Sequence, residues 1–320
     1  MSETKPEPAR PQAAQAIEAV PVRHPWRWVS AAVVLVLAAM FVHMLVTNER
    51  FQWSFIFDNI FTPPILEGVW TTIRLTVLAM VLGIALGILL AVMRLSPNPL
   101  LSSAAWLYTW FFRAVPRVVL LAIFGNLGFL WGRLEFGLPF DRQIGQLFGI
   151  TDFDGRFFGF ETRDVIYGFL AGLLGLALSE AAYMAEIVRA GILSVDRGQT
   201  EAAAALGLTR GQTLWRIVMP QAMRPIIPPT GNETIAMLKD TALVAYVPVT
   251  NELWFQTQAI GARTFKLFPM FVGACLWYLA LTSLLMIGQY FIERRFARGR
   301  DSTSRARVRL GAIGRGQGGA

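Results

Sequence analysis

Residues 199–220 read QTEAAAALGLTRGQTLWRIVMP, a polar, helix-forming stretch set between strongly apolar runs. Thr200 is placed to cap a helix whose first turn is Glu201-Ala202-Ala203, its hydroxyl accepting an orphan backbone N–H. The Glu201 carboxylate suits the positive end of the helix dipole. The alanines at 202–205 make that helix stiff and slim, because alanine has the best helix propensity. Gly207 is expected to end it, since a left-handed terminal residue costs glycine little. Thr209-Arg210-Gly211-Gln212 then matches a capping box and starts a second helix. Leu214, Ile217 and Val218 form its apolar face, and Pro220 is expected to break it. The stretch predicts helix, glycine hinge, helix, proline stop. A thin alanine helix led by one carboxylate is shaped for a groove in another protein.

What surrounds this loop is lipid-soluble chain. Of 320 residues 54% are hydrophobic and 16% charged, where a soluble domain carries about 25% charged. The apolar runs reach the roughly 20 residues that a helix needs to cross a bilayer. The expected fold is all-α, a polytopic bundle of about six transmembrane helices near 28–46, 68–92, 104–131, 165–190, 227–249 and 268–291. Residues 1–27, rich in Pro, Ala, Gln and Glu, are expected to be a disordered tail. Residues 28–64 make an additional N-terminal transmembrane helix and outer linker. The first apolar run is not read as a cleavable signal, because its n-region is too long and no small-x-small site follows cleanly. The core spans 65–293, with the loop at 191–226, and 294–320 is a basic disordered tail held near anionic headgroups. The segment 132–164 mixes acids, arginines, glycines and phenylalanines, and predicts a surface helix or short hairpin. It reads equally as a solvated connector and as a docking surface for an external partner.

Basic residues orient the bundle. With the N-terminus in the cytoplasm, the inner segments hold 17 Lys and Arg and the outer ones 7. Both termini and the 191–226 loop are therefore expected inside. This topology accounts for the net charge of +8, so no nucleic-acid partner is inferred. A single cysteine, Cys275, excludes a disulfide framework, and His24 and His43 lack metal-ligand spacing, so no metal site is expected. No G-x-x-x-x-G-K-[ST] run occurs, so the chain supplies no phosphate-cradling loop of its own. No nucleophile, base and orienting group form a set, which argues against an enzyme.

Glu201-Ala202-Ala203, followed by Gly207, Ile217 and Pro220, resembles the EAA loop of ATP-binding cassette importer permeases, with Met219 where Leu is usual. The run Ala182-Tyr183-Met184-Ala185-Glu186-Ile187-Val188-Arg189-Ala190-Gly191-Ile192 is similar to the polar amino-acid uptake branch. So are Pro220-Gln221-Ala222-Met223-Arg224, Ile227-Pro228-Pro229 and Lys239-Asp240-Thr241-Ala242-Leu243, the last with Ala242 for Ser. Gly198-Gln199 and Gly68-Val69-Trp70-Thr71-Thr72 match further, so the resemblance covers about residues 65–295. It departs at Phe112-Arg113-Ala114-Val115-Pro116-Arg117, where Ala114 replaces Gly and Arg117 replaces Leu. The resemblance implies a type I importer permease that moves polar amino acids by alternating access across a bacterial plasma (inner) membrane. Its partners would be a cytoplasmic ATPase, a second permease subunit (self or sister), an extracytoplasmic substrate-binding protein, the amino-acid substrate and membrane lipid. ATP and Mg would belong to the ATPase, with no cofactor bound here. The coupling residues would be Glu201, Ala202, Ala203, Gly207, Ile217 and Pro220. The rival readings are a self-sufficient secondary transporter or channel not using ATP, and a membrane-bound enzyme or scaffold.

Charges inside spans add candidates. Asn232 and Glu233 lie seven residues before Lys239 and Asp240, two helical turns, so the pairs share a face. That face lines either a translocation path or a subunit seam, or holds an internal ion pair. Arg113 and Arg117, four apart, share another face. They are either a positive site for an amino-acid carboxylate or counter-ions of acids such as Glu180. Glu180 and Glu186, six apart, point away from each other and are not expected to act as a pair.

Overall fold

The computed structural model describes residues 26–150 and 153–297, so the expected tails fall almost wholly outside the described residues. The chain divides into two units, residues 1–51 and 52–320. The described part of the first is helix α1 (Trp26–Thr47) and a short 3₁₀ turn (Glu49–Phe51). The second begins earlier than residue 65, because helix α2 (Trp53–Ile60) buries Ile56 and Ile60 within it.

The second unit is built on two long helices, α3 (Pro63–Arg94) and α9 (Gly168–Leu193). Pro63 and Pro64 open α3 where a missing N–H costs nothing. At about 1.5 Å per residue, α3 is long enough to cross the hydrocarbon with turns to spare. Gly83 and Gly87, one turn apart, let α9 approach closely. A methyl group on Gly83 would lie 2.7 Å from Glu180 Cγ, and one on Gly87 would lie 2.5 Å from Met184 Cβ. Small residues at such spacing let backbones meet where lipid offers no hydrophobic drive. Around this seam Leu75, Ala79, Leu176, Ala177 and Met184 form the main core.

The expected third span is bent. Helix α4 (Pro99–Ala114) meets α5 (Arg117–Gly125) at 100°. Pro116 forces Val115 into an extended conformation, and the helix cannot pass. Helix α6 (Leu127–Leu130) leads to strand β1 (Arg133–Gly137), helix α7 (Asp141–Leu147) and strand β2 (Arg156–Glu161). The strands pair antiparallel as a hairpin, and α8 (Thr162–Val165) leads on to α9. Where 132–164 predicted a surface helix or a short hairpin, the described residues hold both, α7 and the β1–β2 pair.

After α9 come α10 (Arg197–Ala205), α11 (Arg210–Thr213), a π-helical turn (Leu214–Val218) and α12 (Met219–Asp240). The expected fifth span thus starts earlier than 227 and ends at Asp240. Pro225, Pro228 and Pro229 lie inside it. The carbonyls nearby find side-chain donors: Thr230 Oγ1 to Ile226 O at 2.8 Å, and Gln289 Nε2 to Pro228 O at 3.4 Å. Helices α13 (Leu253–Thr264) and α14 (Leu267–Ala297) close the unit. Among the described residues, α1, α3, α9 and α14 are long and apolar enough to cross a membrane, and the bent α4–α5 pair makes a fifth.

One buried carboxylate ties four segments together. Glu252 caps α13 by accepting from Trp254 N at 2.7 Å. It also accepts from Thr72 Oγ1 on α3 (2.7 Å), Tyr278 Oη on α14 (2.8 Å) and Thr241 Oγ1 (3.3 Å). Sequence reading missed it, because a lone Glu in a connector carries no periodic signal.

Candidate functional site

The loop after α9 is assembled by local chemistry. Asp196, not Thr200, caps α10: its side chain accepts from Gly198 N at 2.7 Å. The Thr200 hydroxyl instead donates to Arg197 O at 2.7 Å. The helix starts at Arg197, so Glu201 lies beyond its first turn, exposed. Ala203 is buried while Ala202 faces out. Gly207 has φ +78°, the left-handed conformation expected of it. Gly207 N donates to Ala204 O at 2.9 Å and Leu208 N to Ala203 O at 3.1 Å, the paired bonds of a Schellman motif. The capping box closes in both directions: Gln212 N to Thr209 Oγ1 at 3.3 Å, and Thr209 N to Gln212 Oε1 at 2.9 Å. The end of α10 and the start of α11 are thus each closed by paired hydrogen bonds.

Pro220 does not stop the second helix. It sits in the first turn of α12, and the helical path is continuous from Arg210 to Asp240. The π turn is the reason. Met219 N bonds Leu214 O, five residues back, and the wider turn leaves room where the proline ring would strike a carbonyl. Val218 is buried and Leu214 and Ile217 half-buried, as an inward face requires. Leu206 and Trp215 stay exposed, and a cleft of about 700 Å³ opens between the end of α9, α10 and α11.

The second constellation lies among α5, α9 and α12. The Arg117 guanidinium donates to Glu180 Oε2 at 2.7 Å and to Asp240 Oδ2 at 2.5 Å. It lies 3.7 Å from Glu233 Oε2, donates to Ser179 Oγ at 3.2 Å, and stacks 4.9 Å over the Tyr183 ring. Glu180 is fully buried, and its Oε1 has no partner. Three acids thus surround one cation, an expensive arrangement in a low-dielectric medium. Glu233 and Asp240 do share a face, but Asn232 and Lys239 are not on it. Asn232 accepts from Gln289 Nε2 at 3.0 Å on α14, and Lys239 is exposed. Arg113 lies 5.6 Å over the Tyr183 ring and lines a cleft of about 470 Å³ with Glu186 and Glu233. Glu186 is held apart from Glu180 by Arg189 (2.7 Å) and Arg94 (3.8 Å). Glu180, named only as a possible counter-ion from sequence, proves central. Among the described residues, no group of His, Cys, Asp and Glu is arranged to hold a metal ion.

The described residues thus form a helical bundle with spans of membrane-crossing length, a loop closed by capping bonds and an ion-paired interior. Residues 83–298 match the family described as the binding-protein-dependent transport system inner membrane component, and the chain belongs to that family. It is 42% identical over 291 residues to the arginine transport system permease protein ArgU of Corynebacterium glutamicum, covering 91% of this chain and 86% of that one. It is 32% identical over 250 residues to the probable amino-acid ABC transporter permease protein YckA of Bacillus subtilis, covering 77% and 96%. Among solved structures, an amino acid ABC transporter with histidines matches with a TM-score of 0.59 and 30% identity, over 73% of this chain and 95% of that one. The MetNI methionine ABC transporter shares the fold, with a TM-score of 0.52 at 18% identity.

Proposed function

We propose that the chain is the permease subunit of an ATP-binding cassette importer for cationic amino acids, arginine among them. One observation carries the coupling half: a loop closed by a Schellman turn and a capping box, α10–Gly207–α11, runs directly into the two helices that hold the acids of the charged cluster. Helix α9 enters the loop and carries Glu180, and α12 leaves it and carries Glu233 and Asp240. A push on the loop from a cytoplasmic ATPase would move both helices against α5, where Arg117 sits. Glu201, Ala202, Ala203, Gly207, Ile217 and Pro220 are the coupling residues on this reading. Alternating access would then be the exchange of Arg117 between its partners on α9 and α12. ATP and Mg are handled by the ATPase, and this chain binds no cofactor. A second permease subunit, self or sister, completes the pathway, and an extracytoplasmic binding protein delivers the substrate. The loop and both termini lie in the cytoplasm of a bacterium on this reading.

The substrate class rests on the acid surplus around Arg117 and on the arginine transport relative. An incoming guanidinium or ammonium would relieve that surplus, whereas an acidic side chain would add to it. The test is transport in proteoliposomes containing the full complex. Arginine and lysine should compete for uptake and glutamate should not. Equal competition by glutamate overturns the cationic assignment while leaving the permease assignment intact.

A further inference from the structure

The hairpin between α6 and α8 divides its paired side chains by face, with Phe157 exposed at the bulge outside this register. Leu134 pairs with Phe160 and Phe136 with Phe158, so all four project to one side. The Phe136 ring lies 6.5 Å from Phe158 and 6.2 Å from Phe160, and these two are 5.8 Å apart. Phe136 and Phe158 are exposed, and Leu134 and Phe160 half-buried. The charges lie on the other side. Arg133 pairs with Glu135 at 3.4 Å and Glu161 at 3.9 Å, and Arg156 pairs with Glu135 and, at 3.5 Å, with Asp141.

The hairpin is rooted at the end of the membrane-crossing helices. It opens just after Leu130 of α6 and closes directly onto α8 and α9, with Thr162 N bonded to Gly132 O at 2.9 Å. It therefore stands at the opposite end of α9 from α10. Apolar side chains are exposed both at its root, Phe129, Leu130 and Trp131, and at its far end, Phe140, Leu147, Phe148 and Ile150. An upright hairpin of five-residue strands would lift that far end about 17 Å away from the membrane, into water. A hairpin lying down keeps root, aromatic face and far end at one depth. Aromatic side chains favour that depth, and amphipathic segments seat their apolar side in it with charges turned to water.

We infer that the β1–β2 hairpin lies flat on the bilayer, its Leu134, Phe136, Phe158 and Phe160 face seated at the phospholipid headgroup–acyl boundary. It acts as an in-plane anchor that fixes the depth and tilt of α9 at the end away from the loop.

The test uses the full chain carrying Cys275→Ser, with single cysteines introduced as Leu134→Cys or Phe158→Cys on the aromatic face and Glu161→Cys on the charged face. Each is labelled with an environment-sensitive fluorophore in nanodiscs of phosphatidylethanolamine and phosphatidylglycerol. Nitroxide-bearing lipid should quench the aromatic-face labels several-fold more than the Glu161 label, and aqueous iodide should show the reverse order. Leu134→Cys keeps the three rings, so it carries the test should Phe158→Cys fail to fold. Equal access of iodide to both faces overturns the inference. So does an aromatic face that iodide reaches until a soluble partner protein is added, which would mark a protein-docking surface instead.

Discussion

Three carboxylates from two other helices converge on Arg117. Removing a cation from such a cluster leaves buried charge uncompensated, a loss of about 3–5 kcal/mol in comparable cases. Glu233 and Asp240 keep some contact with solvent, so the lower end is expected here. Arg117→Leu should therefore lower the thermal unfolding midpoint in detergent, and adding Asp240→Asn should recover part of it. A midpoint unchanged in Arg117→Leu would show that the cluster contributes nothing to the fold. Half of this cluster was legible in sequence: Glu233 and Asp240 share a face by spacing alone. The Arg117–Glu180 pair was one of two readings offered for that arginine, but the convergence of three acids on it was not legible, because Arg117 lies 63 residues from Glu180 and 123 from Asp240, and spacing within one helix says nothing about which helices are neighbours. Lys239, adjacent to Asp240, is about 100° further round the helix and faces out.

At the scale of elements, the loop separates signals that sequence shows from those it hides. The capping box and the left-handed Gly207 depend on residues within four positions, and both were read correctly. The start of α10 was misplaced because Asp196 and Thr200 are both good caps, and the choice is made by where α9 ends. Asp196→Ala should cost α10 about 1 kcal/mol, whereas Thr200→Ala should cost nothing measurable. Hydrogen exchange of the 197–205 amides would distinguish them, with faster exchange in Asp196→Ala alone. Gly207→Val places a β-branched residue at φ +78°, where nothing crowds the side chain but the backbone is strained. It should leave membrane insertion intact and uncouple ATP hydrolysis from uptake in the reconstituted complex. Normal coupling would remove the loop from the mechanism.

At the scale of the whole molecule, composition alone gave a helical membrane bundle. It gave the number of crossings roughly, but not their path. A hydropathy run such as 104–131 does not reveal a 100° bend, because Pro116 changes direction without changing apolarity. Helix α12 shows the reverse. Its prolines and charges make it a poor lipid-facing span, yet it is a continuous helix in which α5 and α14 supply partners for its polar groups. The class of protein was legible in one loop motif and its flanks, since those residues are close in sequence. On the proposed reading, discrimination among cationic, neutral and acidic cargo would be a property of three helices at once, and the competition experiment in proteoliposomes addresses it at that level.

The π turn at Leu214–Val218 keeps the phase between two halves of one rod. An ordinary α-helix advances about 100° per residue, and a π turn accommodates one residue more than an α turn. The surplus residue is absorbed within that one wider turn, so the capping box and Trp215 keep nearly the phase that a regular helix one residue shorter would give them relative to Glu233 and Asp240. Deleting one residue within the turn would restore a regular helix and leave the loop facing nearly as it does now. Inserting one residue in the regular part of α12, between Pro220 and Glu233, would turn the loop by about 100° relative to the charged cluster. Length is thus tolerated within the turn and constrained outside it.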